Sequence, residues 1–177
     1  IHLTGNGLNY QSASTSIYGA LKLHSLEWRE STFSNASAQI SVRDNILHAK
    51  ASYSDSTMDW NLTTSIRHTQ ESINLKLHAQ VEDLNTAALK ITDTDLHTAF
   101  QCYAVLDIDS TSAYTLRGSF NDIRLTPSSQ AIQPKPLYLR AELTPKSMRL
   151  DIRSGDLTLN ANTQNEGLVW QSPSLQS

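Results

Sequence analysis

Ile73-Asn74-Leu75-Lys76-Leu77-His78-Ala79-Gln80-Val81 is the stretch that decides how this chain folds. Every second residue is apolar and every residue between is polar. In a helix, residues three and four apart share a side. Here residues two apart share a chemistry, which is the period of a β-strand with one face on an apolar surface and the other in water.

The same alternation extends outward from this stretch. Met58, Trp60, Leu62 and Ile66 alternate with Asp59, Asn61, Thr63 and Arg67, and Phe100, Cys102, Ala104, Leu106 and Ile108 form a third series. Further strands are predicted over 17–24, 36–42, 46–53, 114–120, 137–143, 148–152, 157–161 and 168–170. The expectation is an all-β fold: about a dozen strands of the usual length in one antiparallel module covering residues 1–177.

Turn chemistry sits between the strands. Asp44-Asn45 tolerates positive φ at both centres of a two-residue hairpin. Gln70-Glu71 separates Ile66 from Ile73, and Pro145-Lys146 suits the centre of a type I turn. Asn165-Glu166-Gly167 suits a three-residue loop. Such short links make successive strands antiparallel neighbours in a meander.

Two segments break the rhythm. Residues 126–136 carry three prolines and read as a loop. Leu84, Ala87, Ala88 and Ile91 have helical spacing behind Asp83, a potential cap, so one short helix is expected at 83–91. A subtler irregularity is one of phase. Leu23 to Leu26, Val81 to Leu84 and Phe120 to Ile123 each jump by three residues. A step of three flips the face unless the strand bulges, so kinked strands that re-aim their apolar side are expected there.

Composition agrees with half-polar strands. Of 177 residues, 38% are hydrophobic, 18% charged and 7% aromatic, and Ser and Thr supply roughly 40. The net charge of −3 argues against a nucleic-acid partner and against a polybasic membrane patch. One cysteine, Cys102, permits no intrachain disulfide; in phase with Phe100 and Ala104 it reads as a small buried hydrophobe. No apolar run spans a bilayer. The start at Ile1, with no basic or apolar leader, reads as a processed or excised piece, with any signal or anchor elsewhere.

Candidate chemistry is sparse. His24, His48, His68 and His78 are placed on the polar sides of their strands, and no metal-ligand spacing accompanies them. Asp93/Asp95 and Asp107/Asp109 read as loop and turn carboxylates, lacking the further ligands of a calcium loop. Gly5-Asn6-Gly7 reads as a bulge or turn, and no nucleophile elbow or phosphate loop occurs. Asn35 and Asn61 stand in chance-level glycosylation sequons. No catalytic residue, metal or cofactor is expected. Trp28 and Trp60 are the pair that could stack on a sugar, although Trp60 is in phase with the apolar side.

The segment Ile17-Tyr18-Gly19-Ala20-Leu21-Lys22-Leu23-His24-Ser25-Leu26-Glu27-Trp28 runs into Phe33 through Val42 and then Asn45-Ile46-Leu47-His48-Ala49-Lys50-Ala51. With Val81 through Leu89, Asp95-Leu96, Gly118 through Leu125 and Gly155 through Ala161, this resembles the strand grammar of the AsmA/TamB superfamily of diderm bacterial envelope proteins over about residues 15–165. The resemblance implies a strongly bent, taco- or gutter-shaped sheet with an apolar groove. It also implies a periplasmic place, an inner-membrane anchor outside this chain, and a non-enzymatic part in lipid transport or outer-membrane protein assembly. The implied partners are phospholipid or other acyl chains, neighbouring modules of the same chain and outer-membrane assembly proteins.

Alternation alone leaves two ways to bury the apolar side: a groove filled by acyl chains, or a closed β-sandwich serving as a glycan- or protein-binding module. The residues expected to line a groove are Leu21, Leu23, Ile40, Val42, Leu75, Leu77, Leu106, Leu116, Phe120, Leu139, Leu150 and Leu159.

Overall fold

In the structure, a computed structural model, eleven antiparallel strands follow one another in a single sheet whose order is the order of the sequence. It describes residues 1–6, 14–28, 31–110, 113–127 and 131–164, the side chains of 26–33 excepted. The strands are β1 (His2–Asn6), β2 (Ser16–Trp28), β3 (Ser31–Arg43), β4 (Ile46–Ser54), β5 (Met58–His68) and β6 (Ser72–Asn85). They continue as β7 (Leu96–Asp109), β8 (Tyr114–Pro127), β9 (Leu137–Leu143), β10 (Ser147–Ser154) and β11 (Leu157–Gln164). The segments 165–167 and 168–170 lie outside the described residues.

Short turns of fitting chemistry hold the meander together. Asp44 and Asn45 both have positive φ, at 52° and 60°, the two-residue hairpin whose twist matches the strands it joins. Thr69 and Thr144 build the same turn twice. In each, the threonine N–H donates to the carbonyl of the serine three residues on, at 2.9 and 2.8 Å, and the threonine hydroxyl accepts from the following backbone N–H groups. Asp55 does likewise with its carboxylate, taking the N–H groups of Thr57 and Met58.

The sheet is not closed: among the described residues β1 pairs only with β2 and β11 only with β10. Among the described residues no second layer covers it either. Tyr53 and Ala99 are the only buried apolar side chains among the described residues. The chain exposes 12949 Å², where a compact monomer of its mass exposes about 8,600 Å². The closed sandwich is thereby excluded, since its inner faces would be stripped of solvent.

The expected helix is absent. β6 runs on to Asn85, pairing Leu84 with Thr98 and Asn85 with His97, and a turn follows. The helix-like spacing survives only as local turns: the Leu89 N–H reaches the Asn85 carbonyl at 3.2 Å, and Lys90 ends the segment at φ 56°. Asn85, not Asp83, caps the turn, through its side-chain oxygen on the Ala88 N–H. Two ladder pairings with β7 therefore override a local helical preference. The proline-rich loop is shorter than expected, because β8 continues through Pro127 and Leu125 bridges to Ile132.

Two of the three phase jumps are bulges. Register shifts between Val81 and Leu84 opposite β7, and between Ala99 and Gln101 opposite β8, where Asp122 has φ 52°. The shift at Asp59/Trp60 is the same β6 bulge seen from β5, since Asp59 pairs with Asp83 and Trp60 with Val81. In both jumps the extra residue lets the strand keep its apolar side facing the same way. At Leu23 to Leu26 the register with β3 runs straight through, and the distortion is instead the positive φ of Asn35, 61°.

Candidate functional site

The cross-strand registers place whole rows of side chains on one face. One row runs through all eleven strands without a polar residue: Gly5, Ile17, Val42, Leu47, Ile66, Leu75, Leu106, Leu116, Ala141, Leu150 and Ala161. The next row contains Leu3, Gly19, Ile40, Ala49, Leu77, Ala104, Gly118, Leu139, Ile152 and Leu159, interrupted only by Thr64. A third leads from Leu21 through Ala38, Ala51, Leu62, Ala79, Cys102 and Phe120 to Leu137 before it meets Ser154. Leu23 opens a fourth, opposite Ala36.

All twelve residues expected to line an apolar groove therefore share one face. With strands about 4.8 Å apart and same-face residues about 6.8 Å apart, three rows over eleven strands cover roughly 1,000 Å², against a largest apolar patch of about 300–600 Å² on an ordinary monomer. The central Leu75, Leu77, Leu106 and Leu116 are half-buried by their lateral neighbours alone. Towards the edges, where a neighbour is missing, Leu159 is 50% exposed and Leu3 71%.

Cys102 lies in the third row, and burial pushes its thiol up from the ordinary value, which keeps it a protonated apolar side chain. Trp60 belongs to the same face, stacked on Tyr53 with ring centroids 6.3 Å apart. The side chain of Trp28, the other half of the expected platform, is outside the described residues. Tyr53 is anchored by its hydroxyl, which donates to Asp55 and accepts the Ser34 N–H at 3.2 Å. Burial first, then Asp55, raises the Tyr53 hydroxyl. Burial pushes the Asp55 carboxyl up, but hydrogen bonds from Tyr53, Thr57 and Met58 outweigh it and hold it below the usual carboxylate value.

The opposite face is polar. His48 and His78 lie there as expected, His78 stacked at 4.2 Å on Tyr103 beside a cleft of about 310 Å³. His68 does not. It pairs with Ile73 and so ends a row of the apolar face, because it stands in phase with Ile66 and not with Arg67. Asp107 receives the Asn74 amide at 2.5 Å and Arg117 at 2.7 Å, and both hold its carboxyl below the usual range. Asp109 caps the turn after β7 through the Ala113 N–H, while Asp93 and Asp95 lie in the turn before it. Gly5 is part of β1, where an added Cβ would lie 2.7 Å from the Ser16 carbonyl oxygen. Among the described residues no group of three His, Cys, Asp or Glu is arranged to hold a metal ion, and no helix is long and apolar enough to cross a membrane.

Two features escaped the sequence reading. The β6 bulge carries Asp83 to His97, whose Nδ1 lies 2.8 Å from Oδ1, and this hydrogen bond raises the imidazole above its ordinary value. Arg153 joins Arg149 on the polar face of β10; the alternation of Arg149, Asp151 and Arg153 with Leu150 and Ile152 was the available signal. Comparison with protein-family models, curated proteins and solved structures finds no match to this chain.

Proposed function

We propose that this chain is a non-enzymatic module of a periplasmic envelope protein whose uncovered apolar sheet face receives the acyl chains of phospholipid. The observation that carries this reading is the row that crosses all eleven strands without a polar residue and, among the described residues, without a covering layer. Such a face is unstable in water, and each methylene laid against it contributes about 0.8 kcal/mol. A face open along its whole width suits a ligand that is apolar, flexible and bound without directional contacts, which describes an acyl chain better than a glycan.

The resemblance to the AsmA/TamB superfamily supports the same reading. It adds lipid transport between membranes or outer-membrane protein assembly as the process, neighbouring modules and assembly proteins as partners, and an inner-membrane anchor outside this chain. The test is organic extraction of the purified protein followed by mass spectrometry, with uptake of the apolar dye N-phenyl-1-naphthylamine measured in parallel. Co-purified phospholipid, and dye displaced by a long-chain fatty acid, are expected. Protein that carries no lipid and takes up no dye refutes the reading and leaves a protein segment as the cover of this face.

A further inference from the structure

The polar face of β8–β11 carries charge of the opposite sign to the chain as a whole. Net charge is −3 overall, yet over the rows that join β8 to β9, β10 and β11 four arginines, Arg117, Arg140, Arg149 and Arg153, stand on this face beside two acids, Glu142 and Asp151. Arg117 and Arg140 are directly opposite each other across β8 and β9. Like charges so paired are destabilising. They splay apart, Arg117 to Asp107 at 2.7 Å and Arg140 to Glu142 at 2.5 Å.

Asp151 lies one strand further on, opposite Arg140, and is the only buried charged residue among those described. It accepts the Arg149 Nε–H at 3.1 Å. That bond fixes the guanidinium by one edge and leaves both terminal nitrogens for a ligand. Arg153 is exposed on the same strand. Two adjoining clefts, of about 400 and 470 Å³, share Arg149, Asp151 and Arg153. Tyr138 lines one and Asn160 and Asn162 the other, adding neutral hydrogen-bond donors.

We propose that this cluster is a phosphate-ester site in which Arg149 and Arg153 grip one phosphate group as planar forks. Arginine rather than lysine on every corner fits an anion with several equivalent oxygens. The clefts have the size of a small head group. A lipid lying on the apolar face cannot place its own phosphate here, because the sheet separates the two surfaces. The ligand is therefore a second molecule: a soluble phosphate ester, or the phosphate surface of a bilayer.

Calorimetric titration with glycerol 3-phosphate, and flotation with phosphatidylglycerol vesicles against pure phosphatidylcholine, test this at fixed ionic strength. Variants are Arg153→Gln, Arg153→Lys and, as control, Lys22→Gln, an exposed cation elsewhere on the polar face. Arg153 is exposed and carries no ion pair among the described residues, so the variants are expected to keep the wild-type melting temperature. A tenfold or greater loss of glycerol 3-phosphate affinity in Arg153→Gln, a smaller loss in Arg153→Lys and none in Lys22→Gln is expected for a soluble ester. The same pattern seen only with phosphatidylglycerol vesicles supports the site with a bilayer as its source. No binding to either probe, or an equal loss in Lys22→Gln, overturns it. Dye uptake by the apolar face stays at the wild-type level in Arg153→Gln, which separates this site from the acyl-chain reading.

Discussion

Leu106→Asp tests whether the apolar face is open. Leu106 sits at the centre of the unbroken row, between Leu75 and Leu116, and is half-buried by lateral contact, with no layer above it among the described residues. Full burial of a leucine contributes about 1.5–3 kcal/mol, so a side chain covered only from the sides contributes roughly half of that. An aspartate here keeps its hydration, and the expected loss is about 1–2 kcal/mol. In a closed core the same change would strand an unpaired charge and cost several kcal/mol more. At about 2–4 °C per kcal/mol for a chain of this size, Tm should fall by about 2–8 °C. Urea unfolding followed by circular dichroism measures the loss, and N-phenyl-1-naphthylamine fluorescence measures the face. Near-native melting with dye uptake abolished is expected. An unfolded variant, with wild-type protein that takes up no dye, would refute the reasoning; Leu75→Asp and Leu116→Asp repeat the test at neighbouring positions of the row.

Asn45→Gly removes both a non-glycine residue at φ 60° and a buried side-chain oxygen without a partner, so it should raise stability by about 0.5–1 kcal/mol in urea titrations. Tyr53→Phe strips the hydroxyl from Asp55 and from the Ser34 N–H and should cost about 1–2 kcal/mol in the same assay. The raised pKa of His97 means that its bond to Asp83 stabilises fully below the ordinary imidazole value and fades as pH rises through the folded one. The Tm gap between wild type and Asp83→Asn should therefore be wide near pH 5.5, narrow near pH 8, and a gap that widens with pH would contradict the assignment. The outer edge of β1, unpaired among the described residues, should promote self-association, so light scattering that reports a strict monomer at high concentration counts against it.

The strands were legible because leucine and isoleucine alternate with polar residues almost without fault from Ile73 to Val81 and in β5 and β7. The bulges at Val81/Leu84 and beside Asp122 were legible too, since a three-residue step betrays an inserted residue. The same step misled at 83–91, where 84, 87, 88 and 91 imitate a helix while Leu84 and Asn85 are held by β7. Whether the apolar side is closed or open was not legible, because alternation is identical in a sandwich and in a single sheet. The twelve apolar positions could be assigned to one face, but the Asp83–His97 pair could not, because it depends on how a bulge turns one carboxylate across the ladder.

Because the strand order in the sheet repeats the order in the chain, every strand is stabilised only by the strands next to it in sequence. The molecule is in this sense one-dimensional, as repeat solenoids are, and its stability is a sum over adjacent hairpin interfaces. Contact order is low for an all-β protein, so pairing can start at the long β6–β7–β8 ladders and zip outward without closing large loops. Amide protection should then decline stepwise from those central strands to β1 and β11. A sheet of this kind can be lengthened or shortened by one hairpin at a time, its apolar rows growing or shrinking with it, while the strands already in place keep the neighbours they had.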